Sequence, residues 1–353
     1  MNFLSRLFLV SSLLLTTYLL LTTSALSQSS GTIQPTLAPR SHEAEFPVLS
    51  SQEYVRHRWQ GDYLVSTGLH ASPSVPVVVL HDRSGHAVFN GTVWFENARE
   101  VELSDGALAP DGSLVVAGGA RNADGTIANF IAKLTRDGVI TNVVQTSPYV
   151  AYYLQAAPDG TVWTLGLERD ANLHQKKDFA VLRQYSFEKG KLAEMLSSRT
   201  FSETLSQGSS QAPWYASFPG GVMLGNKNQS IGFYSARTAE WIELDLRTHE
   251  IARHKLDPLR PGVEVTGVAY TDSGKVFASL IASGQAASLS GLAELTAKSP
   301  SVSQWTMVGQ TVSKSNALGD PPTFSSLLGS AGSQLVYRTE SYPSTTVAWS
   351  KEP

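Results

Sequence analysis

The sequence predicts an all-β protein, a β-propeller of six four-stranded blades, and three observations lead there. A strand–turn–strand element recurs as Leu108-Ala109-Pro110-Asp111-Gly112-Ser113-Leu114-Val115-Val116 and as Gln155-Ala156-Ala157-Pro158-Asp159-Gly160-Thr161-Val162-Trp163, with a looser echo from Val268 to Phe277. Around these elements short apolar runs alternate with turn residues, and no stretch keeps a helical period. The chain ends are complementary: a spare strand at 43–49 matches a last unit with only three strands. Such an exchange completes the final blade of a ring and removes its open edge.

In chain order, Met1 to Arg6 carries one positive charge and Leu7 to Leu21 is a leucine-rich run broken only by Ser, Thr and Tyr. Thr22 to Ser27 is small and polar, with Ala25 and Ser27 placed three and one before a cut ahead of Gln28. This is the order of a secretory signal peptide. The apolar run is 15 residues, short of the ~20 that span a bilayer. Residues 1–27 therefore read as a cleavable signal, and the mature protein as secreted or periplasmic with no membrane segment; retention as an anchor is the competing reading. Residues 28–42, rich in Ser, Thr, Gln and Pro, form a flexible leader with too little apolar content to pack. The propeller domain occupies 43–353.

The chain has no cysteine, which excludes disulfides, thiolate metal sites and cysteine nucleophiles. A domain of this size is stabilised by its core instead. The net charge of −3 gives no electrostatic case for nucleic acid.

The best-formed unit has strands near 104–109, 113–118, 129–135 and 139–145, with Asp111-Gly112 and Asp137-Gly138 as tight turns, because Gly tolerates positive φ there. The next has strands near 152–157, 161–168, 178–186 and 192–198. A third starts near Trp214 and turns at Gly220-Gly221; a fourth starts near Thr266 and turns at Ser273-Gly274. Before them, Tyr54 to Trp94 parses as another unit with a turn at Arg83-Ser84-Gly85. After them, 324–328, 334–339 and 345–349 make the incomplete one. First strands starting near 53, 104, 152, 214, 266 and 324 are 48 to 62 residues apart, close to the ~40–50 of propeller repeats with insertions. Because 199–240 resists parsing, a count of seven stays open, as does a plain β-sandwich.

The segments Ala109 to Val116 and Ala157 to Trp163 resemble the strand–turn–strand core of NHL-type propeller repeats, over roughly one quarter of each blade. Such repeats often carry Asp after the second strand, where this chain has Gly118-Gly119 and Gly166. The resemblance implies the fold and carries over no activity.

No catalytic motif is present. His249 and His254 are five apart on a predicted hairpin, whereas the zinc-protease helix needs four. His81, Asp82 and His86 could serve a metal or a proton transfer, but they read as a polar hairpin tip. Asn122-Ala123-Asp124-Gly125 has too few ligands for a calcium loop. Lactonases and related hydrolases on six-bladed propellers hold a divalent cation with acidic and amide groups from separate blades; Glu96, Asn97, Asp170 and Asn226 are the residue types such a site would use. Trp94, Trp163, Trp241, Trp305 and Trp349 fall on predicted strands and read as packing between blades. Asn90-Gly91-Thr92 and Asn228-Gln229-Ser230 match glycosylation acceptors.

In a four-stranded blade the first and third turns share one face, and the second loops and inter-blade links share the other. Here the first face has mostly tight Asp/Gly turns and reads as quiet, its Asp residues turn formers. The second carries 119–128, 169–177, 199–213, 226–239 and 310–323, and loops on a rigid scaffold concentrate recognition. The candidate ligand-binding residues are Arg121, Asn122, Arg169, Asp170, His174, Lys176, Lys177, Asn226, Lys227, Tyr234 and Arg237, with Trp214 and Tyr215 beside a polar insertion. The reading is an exported binding or scaffolding module for a protein, small-molecule or carbohydrate ligand. The alternative is a divalent-metal-dependent, lactonase-like hydrolase or lyase. No catalytic residue, metal ligand or cofactor is assigned.

Overall fold

A computed structural model describes residues 54–71, 74–201, 218–282, 290–309, 324–341 and 344–353. The signal segment, the leader, the spare strand at 43–49, Trp214, Tyr215 and the 310–323 stretch lie outside the described residues.

The described chain is β-strand with one short 3-10 turn, and its strands follow one another as antiparallel runs. The first run is β1 (Tyr54–Gln60), β2 (Tyr63–Ala71), β3 (Ser74–His81) and β4 (Ala87–Thr92); the second is β5 (Ala98–Leu108), β6 (Leu114–Asn122), β7 (Ile127–Leu134) and β8 (Ile140–Gln145). The third is β9 (Tyr149–Ala156), β10 (Val162–Glu168), β11 (Ala180–Ser186) and β12 (Gly190–Ser197). Then come β13 (Met223–Gly225), β14 (Ser230–Ser235), β15 (Glu240–Asp245) and β16 (Ile251–Leu256), followed by β17 (Val263–Tyr270), β18 (Val276–Ala282), β19 (Gly291–Ser299) and β20 (Val302–Gly309). The last described run is β21 (Phe324–Ala331), β22 (Gln334–Ser341) and β23 (Ser344–Lys351). Within each run every strand pairs with its sequence neighbour.

Apolar clusters lie between successive runs. Leu80 and Phe89 of the first pack with Leu114 and Phe130 of the second, where Phe95 meets Phe130 edge to face at 4.8 Å. Trp163 and Phe179 pack with Phe233 and Ile242, and Trp241 packs with Tyr270 and Leu280. Ala269 and Phe277 meet Leu327 and Leu335. The last run returns to the first, where Ala331 and Val336 close on Trp59 and Leu64 and Trp59 of β1 pairs in parallel with Gly329 of β21. Each fully buried Leu, Val or Phe contributes ~1.5–3 kcal/mol of transfer free energy, so the junctions between sheets, rather than any one sheet, hold the fold. Sheets that pack face to face in sequence order, the last against the first, have the arrangement of a β-propeller. Among the described residues no helix is long and apolar enough to cross a membrane.

Two local expectations change. The region expected as a long loop at 119–128 is mostly strand: β6 runs to Asn122, β7 begins at Ile127, and a tight turn joins them with the Gly125 N–H donating to Asn122 O at 3.0 Å. The Gly220-Gly221 turn precedes β13, and the first hairpin of that run is turned by residues 226–229.

Candidate functional site

The centre of the molecule, where the first strands meet, is organised by a repeated irregularity. In five first hairpins the register skips one residue of the first strand: Val55, Ser104, Tyr152, Thr266 and Leu328. A bulge of this kind bends the strand and re-aims the side chains that follow. Three residues that follow, Arg56, Asp105 and Tyr153, converge. The Arg56 guanidinium stacks 3.6 Å from the Tyr153 ring centroid and donates through Nε to Ser104 O at 2.8 Å. Further along β1, at the alternation of a strand, Arg58 and Gln60 point the same way.

Asp105 is 1% exposed. Its carboxylate accepts from the Leu154 N–H at 2.8 Å, and it faces Arg58 Nη2 at 3.3 Å and Arg56 Nε at 4.0 Å. Arg58 Nη1 donates to Leu154 O at 2.5 Å. Gln60 donates to Gln155 Oε1 at 3.1 Å and accepts from the Leu108 N–H at 2.6 Å. Burial pushes the Arg58 pKa down, Asp105 opposes that shift, and Arg56 adds to it. Two guanidiniums and one carboxylate leave this cluster at +2 − 1 = +1. A divalent cation needs several carboxylates or carbonyls turned toward it; the one carboxylate here is already paired with cations. Among the described residues no three His, Asp or Glu side chains gather as a metal site would require. Glu96 and Asn97 are exposed ahead of β5, Asp170 is in a hairpin after β10, and Asn226 is at the other end of the molecule. The lactonase-like donor set therefore does not fit the central cluster.

Two hollows flank the cluster. A groove of about 730 Å³ opens at the second-loop end, with Arg56, Glu100, Glu102, Arg121, Asn129, Tyr152 and Arg169 among its lining residues. A cavity of about 380 Å³ opens at the first-turn end, with Arg58, Gln60 and Gln155 inside and turn residues such as Pro110 and Pro158 at the rim.

The groove collects two of the sequence candidates. Arg121 lies 3.4 Å from Glu100. Arg169 is braced by Nη1 to Leu173 O at 2.8 Å and Nη2 to the Tyr152 hydroxyl at 3.1 Å. Near by, Asn122 is buried in its own turn and donates to Thr126 Oγ1 at 2.9 Å. Asp170 accepts from the N–H groups of Asn172 and His174 at 2.8 and 2.9 Å, which makes it a turn former. His174 and Lys177 are exposed, and Lys176 Nζ pairs with Glu168 at 2.6 Å.

Others fall elsewhere. Asn226 and Lys227 occupy the first turn of their run in left-handed conformations, and the Asn226 N–H donates to Thr271 O at 2.9 Å. They therefore belong to the Asp/Gly-turn face, not the opposite one, because Met223–Gly225 forms the first strand instead of the second. Tyr234 is 3% exposed and packs edge to face on Trp305 at 5.6 Å; burial pushes its hydroxyl up to about 12. It is a core residue. Arg237, half-buried in the β14–β15 turn, has its pKa lowered by burial.

Three readings of turns agree with the structure. Asp111 and Asp159 accept from the N–H and hydroxyl of Ser113 and Thr161, and Asp82 does the same for Ser84. The residue that sequence reasoning missed is Asn129. It is 4% exposed, it lines the groove, and its Nδ2 has no hydrogen-bond partner among the described residues. Its only sequence signal is an amide in an otherwise apolar strand, Ile127-Ala128-Asn129-Phe130-Ile131.

No protein-family profile and no curated protein matches the chain. In backbone shape it is similar to the Cps50 (Swd1) β-propeller domain of Myceliophteria thermophila, at 12% identity over 90% of each chain with a TM-score of 0.42. It is similar also to a gluconolactonase, XC5397, of Xanthomonas campestris, at 14% identity over 88% of this chain and 95% of that one with a TM-score of 0.41. A putative 6-phosphogluconolactonase of Bacteroides uniformis gives 10% identity over 82% of each chain and 0.42. Likenesses of this degree assign no activity.

Proposed function

We propose that the chain is an exported six-bladed β-propeller that binds a carbohydrate in the groove beside its centre. Six first strands, β1, β5, β9, β13, β17 and β21, support that blade count. The observation that carries the binding role is Asn129. A buried amide donor without a partner costs ~1–3 kcal/mol, and a small turn of the Asn129 side chain that brings Nδ2 to the groove wall would let a ligand acceptor recover that cost. The groove sets guanidiniums, carboxylates, an amide and a phenol side by side, and hydroxyl groups that both donate and accept suit such a mixture better than a ligand of single charge.

Titration calorimetry of the mature protein against a panel of neutral oligosaccharides tests the reading. Binding is expected for at least one glycan, with affinity at least tenfold weaker in Asn129→Leu and Arg169→Ala. A panel that produces no heat, or binding indifferent to both substitutions, would overturn it. Export is checked by sequencing the N-terminus of the mature protein, which should begin at Gln28; Met1 or Asn2 there would show a retained anchor.

A further inference from the structure

The first-turn face, which the sequence presents as quiet, holds the second hollow, and its chemistry differs from that of the groove. The rim is made of hairpin turns locked by their own hydrogen bonds, such as the Gly112 N–H to Ala109 O at 2.9 Å and the Gly160 N–H to Ala157 O at 3.0 Å. Leu108, Pro110, Pro158, Met223 and Leu328 form the apolar part of the wall, beside Tyr270 and Ser330. The floor is polar and positive. Arg58 is 8% exposed there; its Nη1 is held by Leu154 O and Gln155 Oε1, while among the described residues its Nη2 reaches Asp105 at 3.3 Å and Gly220 O at 3.5 Å. Gln60 uses one amide N–H on Gln155 and has a second. With Arg56 sharing Asp105, the cluster beneath the floor carries a net positive charge, and low-dielectric walls strengthen its pull on an anion.

We propose that this cavity is a second binding site, for a small carboxylic acid with an apolar body. The carboxylate takes the N–H groups of Arg58 and Gln60, one on each oxygen, and the body lies against Leu108, Pro110, Pro158, Met223 and Leu328. Two donors on the floor match the two oxygens of a carboxylate, whereas a phosphate would be left with unpaired charge. At about 380 Å³, the cavity sits at the small end of the ~300–1,000 Å³ of ligand pockets, which limits the ligand to roughly one ring. Asp272 and Asn228 at the rim disfavour a second anionic group at the outer end. The site lies at the opposite ends of the strands from the groove, so it stands independently of the carbohydrate reading.

The test uses benzoate, with benzamide as the uncharged match and inorganic phosphate as the anion control, in calorimetric titrations of the full mature protein. Benzoate is expected to bind at least tenfold more tightly than benzamide or phosphate. Met223→Trp, which fills the cavity from its wall, should abolish that binding, while Arg121→Ala in the groove leaves it unchanged. Equal binding of benzamide, benzoate binding that survives Met223→Trp, or no benzoate binding would each overturn the proposal. Should Met223→Trp fail to fold, crystals of the unaltered protein soaked in 4-bromobenzoate decide it. An anomalous bromine peak in the cavity supports the site, and its absence there sinks it.

Discussion

Asp105→Asn is the substitution that tests the central cluster most directly. It keeps the shape of the side chain and an oxygen to accept from the Leu154 N–H, and removes only the charge. In the native protein that charge faces Arg58 at 3.3 Å with Asp105 1% exposed. At an effective dielectric of about 20 the gross attraction at this distance is about 5 kcal/mol, most of it offset by desolvation of both groups. Deleting one partner leaves that desolvation uncompensated, and buried pairs broken this way lose about 3–5 kcal/mol. Asp105→Asn, which keeps the hydrogen bond from Leu154, should fall at or just below the lower end of that range, about 2–3 kcal/mol. Asp105→Ala, which also orphans the Leu154 N–H, should cost about 3–5, a large share of the ~5–15 kcal/mol that a folded protein has. Arg56→Met, which leaves the Arg58 contact in place, should cost less than either. Urea unfolding followed by far-ultraviolet circular dichroism measures all three. A loss below about 0.5 kcal/mol for Asp105→Asn would mean that water reaches and screens the pair, and the reading of Asp105 as a buried, paired carboxylate would fail.

The pKa of His57 is held down at about 4 against its ordinary 6.5, first by burial, then by Arg338 and His81. Its native state thus refuses a proton that the unfolded chain accepts, so stability is full above pH 6.5 and falls as pH drops toward 4, by up to roughly 3 kcal/mol. Unfolding at pH 7 and pH 4.5 should show the loss, and His57→Asn should reduce it, the remainder coming from His81, whose pKa burial also lowers; a flat profile in the unaltered protein refutes the burial. A Cβ at Gly166 would strike Val150 O and the Tyr149 ring, whereas one at Gly119 meets only Asn129 Oδ1 at 3.4 Å. Gly166→Ala should accordingly destabilise by at least about 2 kcal/mol and Gly119→Ala by much less, read from the same urea curves; equal effects would disprove the close approach. Asn129→Leu should leave stability unchanged or raise it by about 1 kcal/mol, since it deletes an unpaired donor, even as it weakens glycan binding. A marked destabilisation would show that the amide serves the fold.

The turns were the most legible part of the sequence, because their chemistry is local. Asp111 and Asp159 act on the N–H two residues ahead, so a four-residue window contains the whole interaction. Strand spacing was legible for the same reason where the alternation is regular. The error at 119–128 has a physical source: Gly119 follows a second glycine and looks like the start of a loop, yet β6 continues to Asn122, and Gly118 is glycine because Glu102 O closes where a Cβ would stand. The same kind of approach, by Val150 O and the Tyr149 ring, accounts for glycine at Gly166. Tyr234 was misread because an aromatic in a polar stretch looks exposed when its partner, Trp305, is 71 residues away.

The site itself was hidden because it depends on bulges, and a bulge leaves no mark on residue type. Counted back from the turn glycines, Asp105, Tyr153 and Gly267 occupy the same place, each seven residues before Gly112, Gly160 and Gly274. Aligning the repeats on their turns would have set a lone carboxylate, a ring and a glycine at one equivalent position. Equivalent positions of a closed ring of sheets face one another across the centre, so unlike residues there build a site whereas like residues build only a repeat. The chain puts its variation there, with arginines from β1 as the complement, and repeats the chemistry of the turns to hold the strands in register. That division explains why repeated elements predicted the scaffold and were silent about the ligand, and it directs the search for function to the places where the repeats disagree.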